Sequence, residues 1–255
     1  MNLLQDKVVV VSGIGPGLGQ AIALRAAAQG ADLVLAARTA SRLDEVAKQV
    51  TALGRRAVSV PTDITTDDGN LAQAAMEAYG RVDVLVNNAF AMPTMKELVK
   101  ADPASIRESF ETNVIGTLKL TRSIAAVMKS GSIVMVNSAV LRHSRRTFGS
   151  YKMAKASLLA MAQNLASELG RQGIRVNSVA PSYIWNDQLR TYFEYLGAKR
   201  GITGQEVYDE LAATTDLGRL AEPDEIADTI VFLASDLARA VTGQCLDVNC
   251  GEFHR

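Results

Sequence analysis

Cysteine and histidine are scarce in this 255-residue chain, with two of each. The cysteines, Cys245 and Cys250, lie near the C-terminus on a predicted strand and its exit. So small a number excludes a disulfide framework and fits a reducing compartment. Without clustered histidines, Cys245 and Cys250 also make a poor metal site, and no metal is expected. A charge excess is missing as well: Lys plus Arg equals Asp plus Glu at 27 each. That balance argues against a nucleic-acid binder, whose footprint is a basic excess. Long apolar runs are absent too, and no window approaches the roughly 20 residues needed to cross a bilayer. The N-terminal MNLLQDKVVVVSGIG lacks the charged start and cleavage region of a signal peptide. A soluble cytoplasmic protein is the expectation, with no membrane and no nucleic-acid partner.

What the chain does have is a hydrophobic fraction of 48%, arranged as short apolar runs alternating with helical segments. Strands are predicted at Lys7–Ser12, Asp32–Ala37, Ala57–Val60, Val82–Asn87, Ser132–Asn137, Ile174–Ala180 and Gln244–Val248. Helices are predicted near Gly17–Gln29, Ser41–Leu53, Asp67–Tyr79, Pro103–Lys129 and Pro223–Ser235, with another in GSYKMAKASLLAMAQNLASEL. Continuous apolar strands suit a parallel sheet covered on both faces. The alternation predicts a doubly wound, Rossmann-like α/β sheet of about seven parallel strands. No linker, repeat or low-complexity tract interrupts it, so residues 1–255 read as one nucleotide-binding domain. A polar, irregular stretch with helical character at about 185–216 is expected to be a lid.

Three features carry chemistry. Ser12-Gly13-Ile14-Gly15-Pro16-Gly17-Leu18-Gly19 leaves the first strand and opens a helix, the context of a dinucleotide turn. Glycines let the backbone approach a pyrophosphate while the helix N-terminus supplies N–H groups. The second strand ends Ala37-Arg38 with no acidic residue for a ribose 2′-hydroxyl. Arg38, helped by Arg42, suits a 2′-phosphate, which favours NADP over NAD. Asp63 follows the third strand, where its carboxylate can meet the adenine or cap a helix. Finally, Tyr151 and Lys155 are four apart on one helix face, with Cβ atoms about 5–6 Å apart. An ammonium beside a phenol lowers its pKa, and ~3 units would correspond to roughly 4 kcal/mol.

In order and spacing these motifs, with Asn87-Asn88-Ala89, Asn113, Ser138 and Pro181, resemble the short-chain dehydrogenase/reductase family over essentially the whole chain. The resemblance implies an NAD(P)-dependent interconversion of a secondary alcohol and a ketone. It makes Tyr151 the general acid/base and gives Lys155 the tuning of Tyr151 and the nicotinamide ribose. Ser138 would hold the substrate oxygen, and Asn113 would position a water that relays protons from Lys155. Ser12, Gly13, Gly15, Gly17, Leu18, Gly19, Arg38, Asp63, Ile64, Asn87, Ala89, Pro181 and Ile184 would join Tyr151 and Lys155 in holding the cofactor. It also implies a homotetramer built on the Tyr151 helix and the long helix before it, with small residues Ala154, Ala156, Ser157, Ala160 and Ala162 allowing close approach.

Some positions depart from the family pattern. Phe90 replaces a glycine, either narrowing the space beside the nicotinamide or packing under the next loop. Ser182 replaces another glycine, and Asn186 stands where a Thr is frequent. Trp185, with Tyr183, Tyr192, Phe193 and Tyr195, suggests a bulky apolar substrate, cyclic or steroid-like, or else lid packing. Arg142, Arg145 and Arg146 lie beside His143 in a basic loop that either attracts an anionic acyl thioester or is simply solvated. Reduction of 3-oxoacyl thioesters is therefore an alternative activity. A non-catalytic nucleotide sensor is a third reading, disfavoured by the presence of Ser138, Tyr151 and Lys155 together.

Overall fold

The computed structural model describes residues 2–67 and 69–254. Seven strands form one wholly parallel sheet: β1 (Val8–Ser12), β2 (Asp32–Ala37), β3 (Ala57–Pro61), β4 (Val84–Asn87), β5 (Gly131–Val136), β6 (Ile174–Pro181) and β7 (Cys245–Val248). Their order is β3-β2-β1-β4-β5-β6-β7. Helices α1 (Leu18–Ala28), α2 (Ala40–Ala52) and α9 (Pro223–Ala234) cover one face, with Val9, Val11, Leu33, Leu35 and Val134 beneath them. The other face carries α3 (Asn70–Tyr79), α5 (Thr117–Ala125) and α6 (Gly149–Leu169) over Val8, Val10, Val34, Leu85 and Ile133. Both faces are buried, so the strands read as unbroken apolar runs and not as alternation.

The order of strands reverses between β1 and β4. In an open parallel sheet the strand ends diverge at that point and leave a crevice at their carboxyl side. Ser12, Asn87, Val136 and Pro181 end the four strands around it.

The predicted long helix from Pro103 is not uniform. It begins as α4 (Pro103–Phe110), where the Asp102 carboxylate accepts from the Ala104 N–H at 2.9 Å and Pro103 opens the first turn. Glu111–Gly116 then widens into a π turn before α5 resumes, and the helix ends at Ala125. The predicted third helix starts later, at Asn70, and residue 68 of that prediction lies outside the described residues. The stretch expected to be irregular with helical character is two ordered helices, α7 (Asp187–Arg200) and α8 (Gly204–Ala212). Thr203 and Glu206 form a reciprocal capping box at the start of α8, and Phe193, Val207 and Leu220 give the pair its own small core. Among the described residues no helix is long and apolar enough to cross a membrane.

Candidate active site

The crevice at the strand reversal is a cleft of about 660 Å³. Its floor is the turn after β1. Gly13 has φ +85°, and a Cβ there would lie 2.5 Å from the Ala89 backbone. At Gly19 a Cβ would run into the Gly13 carbonyl. A side chain at Gly13 would push apart the β1 and β4 exits and one at Gly19 would lift α1 off the turn, so the glycines are what let backbone line the cleft. Asn88 secures the arrangement by donating to the Gly13 carbonyl at 2.7 Å. This cradle at a helix N-terminus fits the pyrophosphate of a dinucleotide.

Gly13, Gly15, Leu18, Gly19, Arg38, Ile64, Ala89, Ser138, Tyr151, Lys155, Pro181 and Ile184 meet in the cleft. Ser12, Gly17, Asp63, Asn87 and Asn113 do not line it. Ser12 is buried and donates to the Val86 carbonyl, while Asn87 donates to Thr121 at 3.0 Å. Both brace the sheet from behind. The Asp63 carboxylate is occupied by its own turn, accepting from the Thr65 N–H at 2.9 Å and its hydroxyl at 2.7 Å. Those two bonds, and secondarily the charge of Arg38, hold Asp63 below the usual carboxylate range. Its neighbours Thr62 and Ile64 line the cleft instead. Arg38 and Arg42 lie at the far end, and among the described residues neither forms an ion pair.

Ser138 follows β5 and Tyr151 lies in the first turn of α6, and the Ser138 hydroxyl is beside the phenol. Lys155, buried, donates to the Val136 carbonyl at 2.7 Å. Burial pushes its pKa down to about 8. The Tyr151 phenol is pushed up by burial, with the Ser138 hydroxyl opposing. This is the reverse of the downward shift expected from the Tyr151/Lys155 spacing. The ammonium lies 6.0 Å from the centre of the Tyr151 ring and its hydrogen bond goes elsewhere, so desolvation of the phenolate wins. Asn113 stands behind, in the π turn, bonded to the Ala91 backbone.

A second cavity, of about 500 Å³, opens on the other side of Ser138 and Tyr151. Met92, Met95, Phe148, Tyr183, Leu189 and Tyr192 make its walls largely apolar. Trp185 is not among them: its ring packs on Tyr208 and Phe193 at 4.5 and 5.7 Å, inside the α7/α8 core. Tyr195 is exposed, under Lys199. Packing within the α7/α8 pair thus accounts for Trp185 and Phe193, while Tyr183 and Tyr192 face the cavity. His143 also lines it, wedged between Phe148 and Phe253 and kept below the ordinary imidazole range mainly by burial.

The basic loop is electrically spent. Arg142 donates to both carboxylate oxygens of Asp247 at 2.8 and 3.0 Å, and its side chain is only 5% exposed. Arg145 pairs with Glu252 at 3.3 Å and Arg146 with Glu97 at 2.8 Å. Arg142 is a buried tie, whereas Arg145 and Arg146 are solvated and carry their carboxylate partners with them. Glu252, which also accepts from Ser182, brings the C-terminal segment into the cavity wall.

Several cleft residues carried no sequence signal of their own: Thr39, Thr112 and Gln188 are ordinary polar residues until the fold places them. Asn137, with a buried and unpartnered Nδ2 facing the same region, was equally silent. Asn88 had one, its place in Asn87-Asn88-Ala89.

A family model described as enoyl-(acyl carrier protein) reductase matches residues 13–252. The chain is 36% identical over 266 residues to an L-rhamnose 1-dehydrogenase (NAD(P)(+)) of Azotobacter vinelandii, covering 98% of both chains. Among solved structures it is similar to L-sorbose reductase of Gluconobacter frateurii, complexed with NADPH and L-sorbose, with TM-score 0.92, 27% identity and complete coverage (100%) of both chains. Carveol dehydrogenase of Mycobacterium avium, in complex with NAD, superposes with TM-score 0.91 at 25% identity over 99% of both chains.

Proposed function

The chain belongs to the short-chain dehydrogenase/reductase family of NAD(P)-dependent oxidoreductases acting on CH–OH groups, and from that premise we propose an NADP-preferring enzyme for neutral, largely apolar secondary alcohols and ketones. The observation that carries this reading is that Ser138 and Tyr151 line both cavities. They stand on the seam between a dinucleotide cleft and an apolar chamber, where a carbonyl from one side meets a cofactor from the other.

The residues divide the work. The glycine turn holds the pyrophosphate, and Arg38 with Arg42 receives the 2′-phosphate. The bound dinucleotide supplies the hydride in reduction and takes it up in oxidation. Ser138 and Tyr151 both hydrogen-bond the substrate oxygen, and Tyr151 donates its phenolic proton there as the alkoxide develops. The raised pKa of Tyr151 keeps that proton in place at neutral pH. Lys155 supplies the positive charge that stabilises the phenolate once the proton has left. Asn113 holds the loop after β4 against the site, and α7 with α8 closes the chamber as a lid.

Apolar walls favour an uncharged substrate, and the engaged arginines speak against an acyl thioester with a phosphorylated tail. A homotetramer on α6 remains part of the reading. Ala156 and Ala160 are exposed there with Met153, whereas Ala154 and Ala162 are spent in the chain's own core. The test is turnover followed at 340 nm with NADPH and NADH against neutral ketones graded in size and polarity. Bulky apolar ketones with NADPH are expected to be turned over best, and Tyr151→Phe to abolish turnover. Efficient turnover of small polar ketones alone, or full activity of Tyr151→Phe, would sink the reading.

A further inference from the structure

Phe90 touches both members of the proposed proton-transfer pair. Its ring meets Tyr151 edge-on, with centroids 5.4 Å apart and planes at 60°. The same ring has the Lys155 ammonium over it, 5.0 Å from the centroid. Phe90 lines the cleft and is 38% exposed, so it is not a core residue that happens to pass nearby.

Among the described residues the Lys155 ammonium donates one hydrogen bond, to the Val136 carbonyl, and pairs with no carboxylate. The groups around the pair are the Val136 carbonyl and the Ser138 hydroxyl from the β5 exit, the Tyr151 phenol from α6, and Phe90 from the loop after β4. Burial alone shifts Lys155, and burial with the Ser138 hydroxyl shifts Tyr151. An aromatic face within about 6 Å attracts a desolvated cation through its quadrupole, where an aliphatic side chain of equal size does not.

From this geometry we infer that Phe90 is a positioning residue of the active site, whose ring face keeps Lys155 charged and aimed and whose edge fixes Tyr151 against Ser138. The inference rests on Tyr151 and Lys155 being the proton-transfer pair. It also accounts for a bulky ring beside the cleft, in contact with both groups.

The test is a direct titration of Lys155 by NMR of protein carrying 13Cε-labelled lysine, its signal assigned by its loss in Lys155→Met. Phe90→Leu keeps bulk without the π face, and Phe90→Tyr keeps both. Leu is expected to lower the Lys155 titration midpoint by about half to one pH unit, and Tyr to restore the wild-type midpoint. An unchanged midpoint in Phe90→Leu overturns the inference. So does an equal shift in both variants, which would assign the effect to packing. Thermal melting of each variant confirms that a folded protein is being titrated. No substrate enters the measurement, so its failure is separate from that of the oxidoreductase reading, which Tyr151→Phe turnover decides.

Discussion

The side-chain amide of Asn113 bonds both polar groups of a single residue, accepting from the Ala91 N–H at 2.9 Å and donating to the Ala91 carbonyl at 2.7 Å. A third bond, to the Ser109 hydroxyl at 3.0 Å, fixes the amide within the helix. The π turn that carries Asn113 is thereby clamped to the loop that carries Phe90. Such turns are commonly found inside helices at functional sites.

Asn113→Ala should cost about 2–3 kcal/mol, since two backbone groups lose buried partners. A lower urea midpoint at unchanged slope would show it. Asn113→Asp should be no rescue, because a carboxylate cannot donate to the Ala91 carbonyl. Wild-type stability in either variant would remove the clamp from the account.

Lys155 is a stability liability whose size depends on pH. Its folded pKa, about 8, lies below the ordinary 10.5. Between those values the unfolded chain holds a proton that the folded chain does not, so stability rises with pH across that window. Below about pH 8 the full penalty applies, on the order of 3 kcal/mol, of which the Val136 bond returns about 1. Lys155→Met should therefore be more stable at pH 7 by about 2 kcal/mol, with the gain fading by pH 10.5. Denaturation of both proteins at three pH values checks this, and a gain independent of pH would contradict it.

Arg38→Ala should raise KM for NADPH roughly 10- to 100-fold while leaving that for NADH within about twofold, the loss of a charge-assisted contact to one phosphate. Arg42→Ala should have a smaller effect of the same kind. Initial rates with both nucleotides measure it. A 2′-phosphate preference surviving the double substitution would place its origin elsewhere in the cleft.

Arg142 and Asp247 tie the loop after β5 to β7. Arg142→Ala leaves the Asp247 carboxylate, mostly buried, without its cation, and about 3 kcal/mol of stability should go with it. Arg146→Ala, at an exposed pair, should cost under about 1 kcal/mol. Comparable losses in the two would show that burial does not separate them.

The sheet was legible because each strand is a short apolar run and both its faces are covered. Strand boundaries shifted by no more than two residues at either end. The glycine turn was legible because it leaves a strand and opens a helix, while Ser138, Tyr151 and Lys155 were legible as a set, through the order and spacing that carry the family resemblance. The π turn was not: Glu111–Gly116 has no residue pattern distinguishing it from the helix on either side, and the clamp on Ala91 is a contact across the fold. The basic loop misled for a related reason. Arg142, Arg145 and Arg146 are adjacent in sequence, but their carboxylates come from positions 247, 252 and 97.

By itself the sequence determined the layered parallel sheet and the glycine turn after its first strand, because these depend on local periodicity and on spacing within single elements; it named the candidate pair through the family resemblance. Only the tertiary structure decided the electrostatics of that pair. The helix puts Tyr151 and Lys155 on one face, but burial raises the phenol and lowers the ammonium. The ring between them comes from a loop some sixty residues earlier in the chain. Desolvation and ring contacts are properties of assembled surfaces, and no spacing within one helix encodes them.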